Sequence, residues 1–202
     1  MRKEILAYFT PEQRRRLQSA RVGVAGAGGL GSNAAMMLAR SGVGHILIID
    51  GDAVEASNLN RQYYLPRHLG MPKVTALSEQ LHELDPELDV DARHLWLDGE
   101  NIPALLPLAD IWLEAVDKPA VKALLASHAL KAGKPMICAS GMGGVGGLAM
   151  KRRILKGLTV VGDFCSDIAW KPPLAPRVIQ CSAMQTDAVL EWILTGTISP
   201  LH

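Results

Sequence analysis

The sequence predicts an α/β fold, Rossmann-like, with a doubly wound, mainly parallel sheet and an antiparallel edge near the C-terminus. Three observations carry that expectation. Short apolar runs alternate with helix-period segments as far as residue 139, the rhythm of a parallel sheet wrapped by helices. The first run leads into Gly26-Ala-Gly-Gly-Leu-Gly31, a turn at the G-x-G-x-x-G spacing of a nucleotide-binding strand-to-helix junction. The second run, His45-Ile-Leu-Ile-Ile-Asp50, ends in an acid about 20 residues further on, where a ribose hydroxyl is expected. With 202 residues, 49% of them hydrophobic, a single domain spanning 1–202 is expected, its first 20 residues or so forming a helical segment.

Thr10 followed by Pro11 is a helix start, placing a helix over 11–19. A strand follows over 21–26. Gly26 then permits the tight turn, Gly28 lets backbone N–H groups approach a phosphate, and Gly31 lets the next helix pack close to the strand. That helix is expected over 29–41, with Leu30, Ala34, Met37 and Leu38 on one face, and it aims its positive dipole end at an anion. Strand 45–50, helix 72–84, strand 88–94, helix 100–107, strand 109–116, helix 119–132 and strand 135–139 continue the alternation. From Ser140 the pattern changes. Gly141-Met-Gly-Gly-Val-Gly-Gly147 is too glycine-rich for a regular element and lacks the G-x-x-x-x-G-K-[ST] ending of a phosphate loop. Strands near 148–155 and 158–162 form the antiparallel edge. Lys171-Pro-Pro-Leu-Ala-Pro176 reads as irregular, and a final helix over 181–195 stops at Gly196.

The polar residues cluster where such a sheet binds ligands, beyond the carboxyl ends of its strands. After Asp50 come Asp52, Asn58, Asn60, Arg61 and Gln62. An arginine fork suits phosphate oxygens. Lys73 falls where a helix begins and opposes its dipole, so either a bound anion or ordinary solvation accounts for it. The strand ending at Asp117 places another carboxylate on the same edge. It can hold Mg²⁺ that bridges phosphates, or cap the helix that starts near Pro119. The glycines and Asp50 alone fit a nicotinamide-dependent oxidoreductase equally well. Arg61 and Lys73 favour phosphoryl chemistry.

Gly26-Ala-Gly-Gly-Leu-Gly31, Ser57-Asn-Leu-Asn-Arg-Gln62, Gly70-Met-Pro-Lys73 and Asp117 occur in an order and spacing that resembles the ThiF/MoeB/HesA family, the bacterial relatives of ubiquitin-activating enzymes. The resemblance runs from the region of Leu17 to that of Thr195. Gly162-Asp163 and Ala175-Pro-Arg-Val178 look most like the short ThiF subgroup associated with thiamine biosynthesis. The resemblance implies ATP- and Mg²⁺-dependent adenylation of the C-terminal glycine carboxylate of a ubiquitin-like, ThiS-like sulfur carrier, with release of pyrophosphate. It implies that Gly26, Gly28, Gly29 and Gly31 cradle the nucleotide, with Asp50, or alternatively Asp52, on the ribose. Asn58, Arg61, Gln62 and Lys73 hold the phosphates and Asp117 the Mg²⁺. It also implies a homodimer in which an N-terminal arginine reaches the neighbour's site. Arg14, Arg15 and Arg16 offer three candidates, of which Arg14 is preferred. Successive helical residues point about 100° apart, so one of the three serves. A family member acting on another carboxylate or on a nucleoside is the alternative.

Composition narrows the field. Lysine and arginine number 21 against 20 acids, so bulk charge gives no reason to expect a nucleic-acid partner. The cluster Lys151-Arg-Arg153 reads as a solvated strand end. Only Cys138, Cys165 and Cys181 are present, with no C-x-x-C pair, so neither zinc nor a disulfide framework is expected. Cys138 and Cys181 read as packing thiols, Cys181 opening a helix. Cys165 lies in a late loop and is expected to be dispensable for adenylation. No apolar run reaches the length of a membrane span, and a cytoplasmic location is expected.

Overall fold

A computed structural model describes residues 2–155, 157–167 and 169–200. Its centre is one seven-stranded sheet built from β1 (Arg21–Ala25), β2 (His45–Asp50), β3 (Asp89–His94), β4 (Ile111–Glu114), β5 (Met136–Ala139), β6 (Lys151–Leu155) and β7 (Leu158–Gly162). The spatial order is β3-β2-β1-β4-β5-β7-β6. All neighbours run parallel except β6 against β7. The chain therefore winds outward from β1 to β3 and then resumes at β4 on the other side of β1. That reversal creates a switch point between β1 and β4, where open sheets bind ligands.

The helices are α1 (Arg2–Leu6), α2 (Pro11–Ser19), α3 (Gly29–Arg40), α4 (Lys73–Leu84), α5 (Ile102–Leu105), α6 (Pro119–Ala132) and α7 (Ala175–Thr195). Strand side chains alternate between faces. Ile46 and Ile48 of β2 join a core with α3, α4 and α7, whereas Leu47 and Ile49 join a second core with α5 and α6. Two apolar layers thus cover both sheet faces, which explains why the central strands read as continuous apolar runs. Among the described residues no helix is long and apolar enough to cross a membrane.

The helix over 11–19 forms as expected, closed by a capping box in which Thr10 Oγ1 accepts from Gln13 N–H at 3.3 Å and Gln13 Oε1 accepts from Thr10 N–H at 3.0 Å. Leu17 C=O accepts from Gly44 N–H at 2.9 Å, just before β2 begins. This ties α2 to the amino edge of the sheet.

Four expectations need correction. The final helix begins at Ala175, six residues before the expected 181. Pro176 sits in its first turn, where a missing N–H costs nothing, so the proline read as irregularity is a helix start. Cys181 consequently lies inside α7, fully buried. The expected helix over 100–107 is only α5, followed by a 3-10 turn over Leu106–Leu108, because Pro107 cannot continue it. Finally, Arg152 is no solvated strand end. It is 1% exposed, donates to Asp187 Oδ2 at 2.5 Å and pairs with Glu191, fastening the edge strand β6 to α7.

Gly31 holds α3 against the turn. A Cβ built there would lie 1.8 Å from the Gly26 carbonyl oxygen. Replacing Gly31 with alanine is expected to destabilise the fold by about 1–3 kcal/mol, the scale of overpacking. A urea titration should show a lower midpoint at an unchanged slope.

Candidate active site

A cleft of about 670 Å³ opens at the carboxyl edge, over the ends of β1, β2, β4 and β5. Its floor is the glycine turn. Gly26 has φ +101°, and a Cβ there would meet the Ala115 carbonyl at 2.6 Å, so only glycine fits. At Gly28 the situation is different, since a Cβ would meet nothing nearer than Gln62 Nε2 at 3.9 Å. That position faces open cleft. Gly28 is also the N-cap of α3 and offers no side-chain hydrogen bond, so the first-turn N–H groups lack a cap partner and face the cleft as an anion site. Buried Gln62 has an unpartnered Oε1 beside it. The open cradle and the uncapped helix start fit an anionic group, whereas the Gln62 oxygen, an acceptor, fits a ligand hydroxyl or amine.

Asp50 fastens this turn. Its Oδ2 accepts from Ala27 N–H at 2.6 Å and its Oδ1 from Asp52 N–H at 2.7 Å. Burial pushes its carboxyl up, while these two N–H donors and Lys73 oppose that. Tyr64 Oη donates to the Ala27 carbonyl at 2.7 Å from the other side. Lys73, only 6% exposed, begins α4 and donates from Nζ to Asp52 Oδ2 at 2.9 Å. The solvated reading of Lys73 is thereby set aside. Arg61 reaches the same wall, donating from Nη1 to Asn60 Oδ1 at 2.8 Å and to the Ser57 carbonyl at 3.2 Å.

Asp117 lies exposed on the opposite wall, past the end of β4. It does not cap α6, whose N-cap is Lys118. Among the described residues no group of three or more histidines, cysteines, aspartates or glutamates converges as a metal cage. A single carboxylate is nonetheless how Mg²⁺ is commonly held when phosphates supply its other oxygens, so Asp117 fits that donor set.

The cleft gathers Gly26, Gly28 and Gly29, the acids Asp50, Asp52 and Asp117, and Arg61, Gln62 and Lys73. Three expected residues stand elsewhere. Gly31 packs behind the turn. The Asn58 carboxamide accepts from Glu55 N–H at 3.0 Å, so it stabilises its own 3-10 turn and is absent from the cleft wall. Arg14, on α2, lies at the amino edge, the length of a strand away. Five residues of β1 separate the two edges by roughly 16 Å.

Two charged pairs escaped the sequence reading. Fully buried Glu114 pairs with Lys122, which also donates to the Ala139 carbonyl at 3.1 Å, bridging the ends of β4 and β5. Burial pushes the Glu114 carboxyl up, against the opposing pull of Lys122. An acid inside the apolar run Ile-Trp-Leu-Glu-Ala-Val was the available signal, because a buried charge requires a partner. Arg177 pairs with Asp163 at 2.5 Å and donates to the Gly146 carbonyl, fixing the glycine-rich loop. Burial disfavours the Asp163 carboxylate, yet the N–H groups of Ser166 and Cys165 together with Arg177 hold it well below the usual carboxylate range. The same N–H bonds shape the loop that carries exposed Cys165 into the cleft wall.

Fold and site together define a doubly wound α/β protein with cations and carboxylates lining a switch-point cleft. The family model for the ThiF family matches residues 1–190, and the chain belongs to that family. It does not belong to the nicotinamide-dependent oxidoreductases weighed from sequence. The adenylyltransferase and sulfurtransferase uba4 of Aspergillus niger is 37% identical over 170 residues, covering 83% of this chain and 35% of the relative. The uba4 protein of Emericella nidulans is 35% identical over 184 residues, covering 90% of this chain and 38% of the relative. The chain thus spans little more than a third of the length of these relatives. Among solved structures, the E. coli tRNA N6-threonylcarbamoyladenosine dehydratase TcdA in complex with ATP superposes with a TM-score of 0.87 at 20% identity, covering 96% of this chain and 93% of the other. E. coli MccB with ATP gives 0.74 at 23% identity, covering 92% and 60%. These likenesses establish the fold.

The three thiols should separate cleanly by reactivity. Burial pushes the Cys138 and Cys181 thiols up to about 12, and both are shut in the core. Titration of the native chain with a chromogenic disulfide at neutral pH is expected to modify Cys165 alone, and all three cysteines after denaturation. Rapid native labelling of Cys138 or Cys181, read by peptide mass spectrometry, would contradict the packing.

Proposed function

We propose that this chain uses ATP and Mg²⁺ to adenylate the C-terminal glycine carboxylate of a ubiquitin-like sulfur carrier. The observation that carries this reading is the convergence of Arg61, Lys73 and the uncapped start of α3 on one wall, opposite Asp117. Family membership and the adenylyltransferase activity for which the uba4 relatives are named support the reaction type. The ATP and AMP complexes of TcdA support the nucleotide. A ThiS-like carrier in thiamine thiazole synthesis is the partner and pathway we favour, on the motif wording of the chain.

The chemical difficulty is charge. A carboxylate oxygen must attack the α-phosphorus as the bond to pyrophosphate breaks, and both reactants are anions. Positioning and fixed cations therefore do most of the catalytic work. Gly28 and Gly29 admit the phosphates to the α3 start, and Gln62 adds its amide. Arg61 and Lys73 offset the charge that passes to pyrophosphate, Lys73 giving up Asp52 to do so. Asp50 is occupied by two backbone N–H groups, so it positions the turn, with its remaining lone pairs and the Asp52 carboxylate available to the ribose. Asp117 would hold Mg²⁺, which neutralises phosphate charge when bound. The carrier tail enters along Ser140, Gly141 and Met142, which line the cleft just past the end of β5.

We extend the reading to a homodimer, which the resemblance implies and the position of the arginines supports. Arg14 and its neighbours cannot reach their own cleft from the amino edge. Arg16 is engaged by Glu12 at 2.9 Å and by the Leu194 carbonyl at 3.1 Å, and Arg14 donates from Nε to the Phe9 carbonyl at 2.9 Å. Arg14 remains our choice for the group donated to a second copy, within the twofold pairing commonest for soluble oligomers.

Two measurements test this reading. Pyrophosphate–ATP exchange should depend on a carrier ending in Gly-Gly and fall about 10²-fold or more in Arg61→Ala and in Lys73→Ala, the scale of one lost preorganised donor. Cys165→Ala should exchange normally. No exchange with any Gly-Gly carrier would refute the reaction. For the dimer, an Arg14–Arg16 triple-alanine chain mixed with a Lys73→Ala chain should recover activity, because one hybrid site holds both intact groups. Heterodimers seen by native mass spectrometry without recovery would contradict donation between copies.

A further inference from the structure

The cleft is not uniformly polar. Its phosphate end carries Arg61, Lys73 and the α3 start, whereas its other end, beyond Asp50, is lined by Leu95, Trp96, Leu97 and Val121. A nucleotide placed with its phosphates on the cations and its ribose at Asp50 or Asp52 must direct its base into this apolar end. Trp96 dominates that end. It follows β3, is 55% exposed and lies across the end of β2. A Cβ on Gly51 would meet its indole at 2.4 Å, so the ring rests directly on that backbone. The segment carrying it is anchored on both sides. Leu95 N–H donates to the Asp50 carbonyl at 3.2 Å, and Asn101 Nδ2 donates to the Trp96 carbonyl at 2.8 Å. From the opposite side of the switch point, the Lys118 ammonium reaches over and lies 4.3 Å from the indole centroid. A large, half-exposed aromatic ring held rigidly in a ligand cleft, covered only by an exposed lysine, is not explained by core packing.

We propose that Trp96 and Lys118 form the base clamp of this site, selecting a purine. On nucleotide binding the base takes the place of the ammonium on the indole, and Lys118 swings out to close the rim of the cleft. Stacking on a tryptophan face is tolerant of base identity but grows with base area, so it favours a two-ring base over a pyrimidine. The glycine at position 51 is part of the device, since any side chain there would lift the ring off its seat. This inference rests on the nucleotide-binding reading and adds the residues that discriminate the base.

The test measures binding of ATP, CTP and inorganic tripolyphosphate to the full chain with Mg²⁺ by calorimetry, alongside tryptophan fluorescence. Tripolyphosphate has no base, so it reports the phosphate end alone. ATP is expected to bind tighter than CTP and to change the fluorescence. In Trp96→Ala, ATP affinity should fall about 10-fold or more, the scale of one lost stack. CTP should fall less, and tripolyphosphate should be unchanged, which also shows that the variant is folded. Trp96→Phe should retain most of the ATP affinity yet lose the fluorescence change, because Trp96 is the one tryptophan lining the cleft. Wild-type ATP affinity in Trp96→Ala would overturn the clamp and leave the nucleotide reading intact. Equal losses for ATP and tripolyphosphate would also overturn it, by making Trp96 a structural support. A wild-type chain that binds neither ATP nor tripolyphosphate would instead defeat the underlying reading, and the clamp with it.

Discussion

The two hydrogen bonds accepted by the Asp50 carboxylate are the constraint on which the rest of this site depends. One oxygen takes the N–H of Ala27 at 2.6 Å and the other takes the N–H of Asp52 at 2.7 Å. The end of β2 is thereby locked both to the turn that follows β1 and to its own continuation. Tyr64 completes the lock by donating to the Ala27 carbonyl, and Lys73 extends it through its backbone and ammonium bonds to Asp52. Segments distant in sequence meet here: the glycine turn, the acid after β2, the loop bearing Arg61, and the start of α4. A glycine turn is conformationally permissive. These bonds give it one shape, with its N–H groups aimed outward. The cost of burying the Asp50 carboxylate is only partly offset by these donors, so its carboxyl stays pushed up.

Cations held in this way are preorganised without being committed. Lys73 is buried up to its tip and paired with a half-exposed carboxylate, so its charge stands ready at the cleft wall while its stem is packed. Arg61 is held by carbonyl and amide oxygens, partners that orient a guanidinium without neutralising it. The distribution suits reactions between two anions, where fixed positive charge lowers the barrier with no covalent help. On the far side of the switch point, the Glu114–Lys122 bridge and the Asp163–Arg177 clamp play a different part. They fasten the ends of β4 and β5 and the glycine-rich loop, and so fix that side of the cleft.

The fold was legible because its strongest determinants are local. Apolar alternation, the glycine spacing and the capping box at Thr10 each act within a few residues, and they place the sheet, the switch point and most helix boundaries. Where local signals mislead, as at Pro176, the same residue type serves two purposes, breaking a helix interior and starting a helix. The site was legible in part. Gly26, Gly28, Arg61, Lys73 and Asp117, read from residue type and spacing, do come together around one cleft. Asn58 could not be separated from them, since an amide beside a phosphate-binding arginine and an amide capping a turn look alike in sequence. Tyr64, Trp96, Lys122 and Arg177 were out of reach for another reason. Each acts through a neighbour 14 or more residues from it, except Lys122 with Glu114 eight residues before it, and only the folded sheet brings those partners together.

The proposed adenylation requires that a carboxylate oxygen of the carrier become bonded to the α-phosphorus of ATP. Isotope transfer tests it most directly. A Gly-Gly carrier labelled with ¹⁸O in its C-terminal carboxylate is incubated with the chain, ATP and Mg²⁺. Hydroxylamine is added to attack the acyl carbon and release AMP. AMP carrying one ¹⁸O in its phosphate is expected by mass spectrometry, together with a carrier hydroxamate. AMP or ADP formed without ¹⁸O in an α-phosphate, from a chain that turns ATP over in the presence of the carrier, would contradict it.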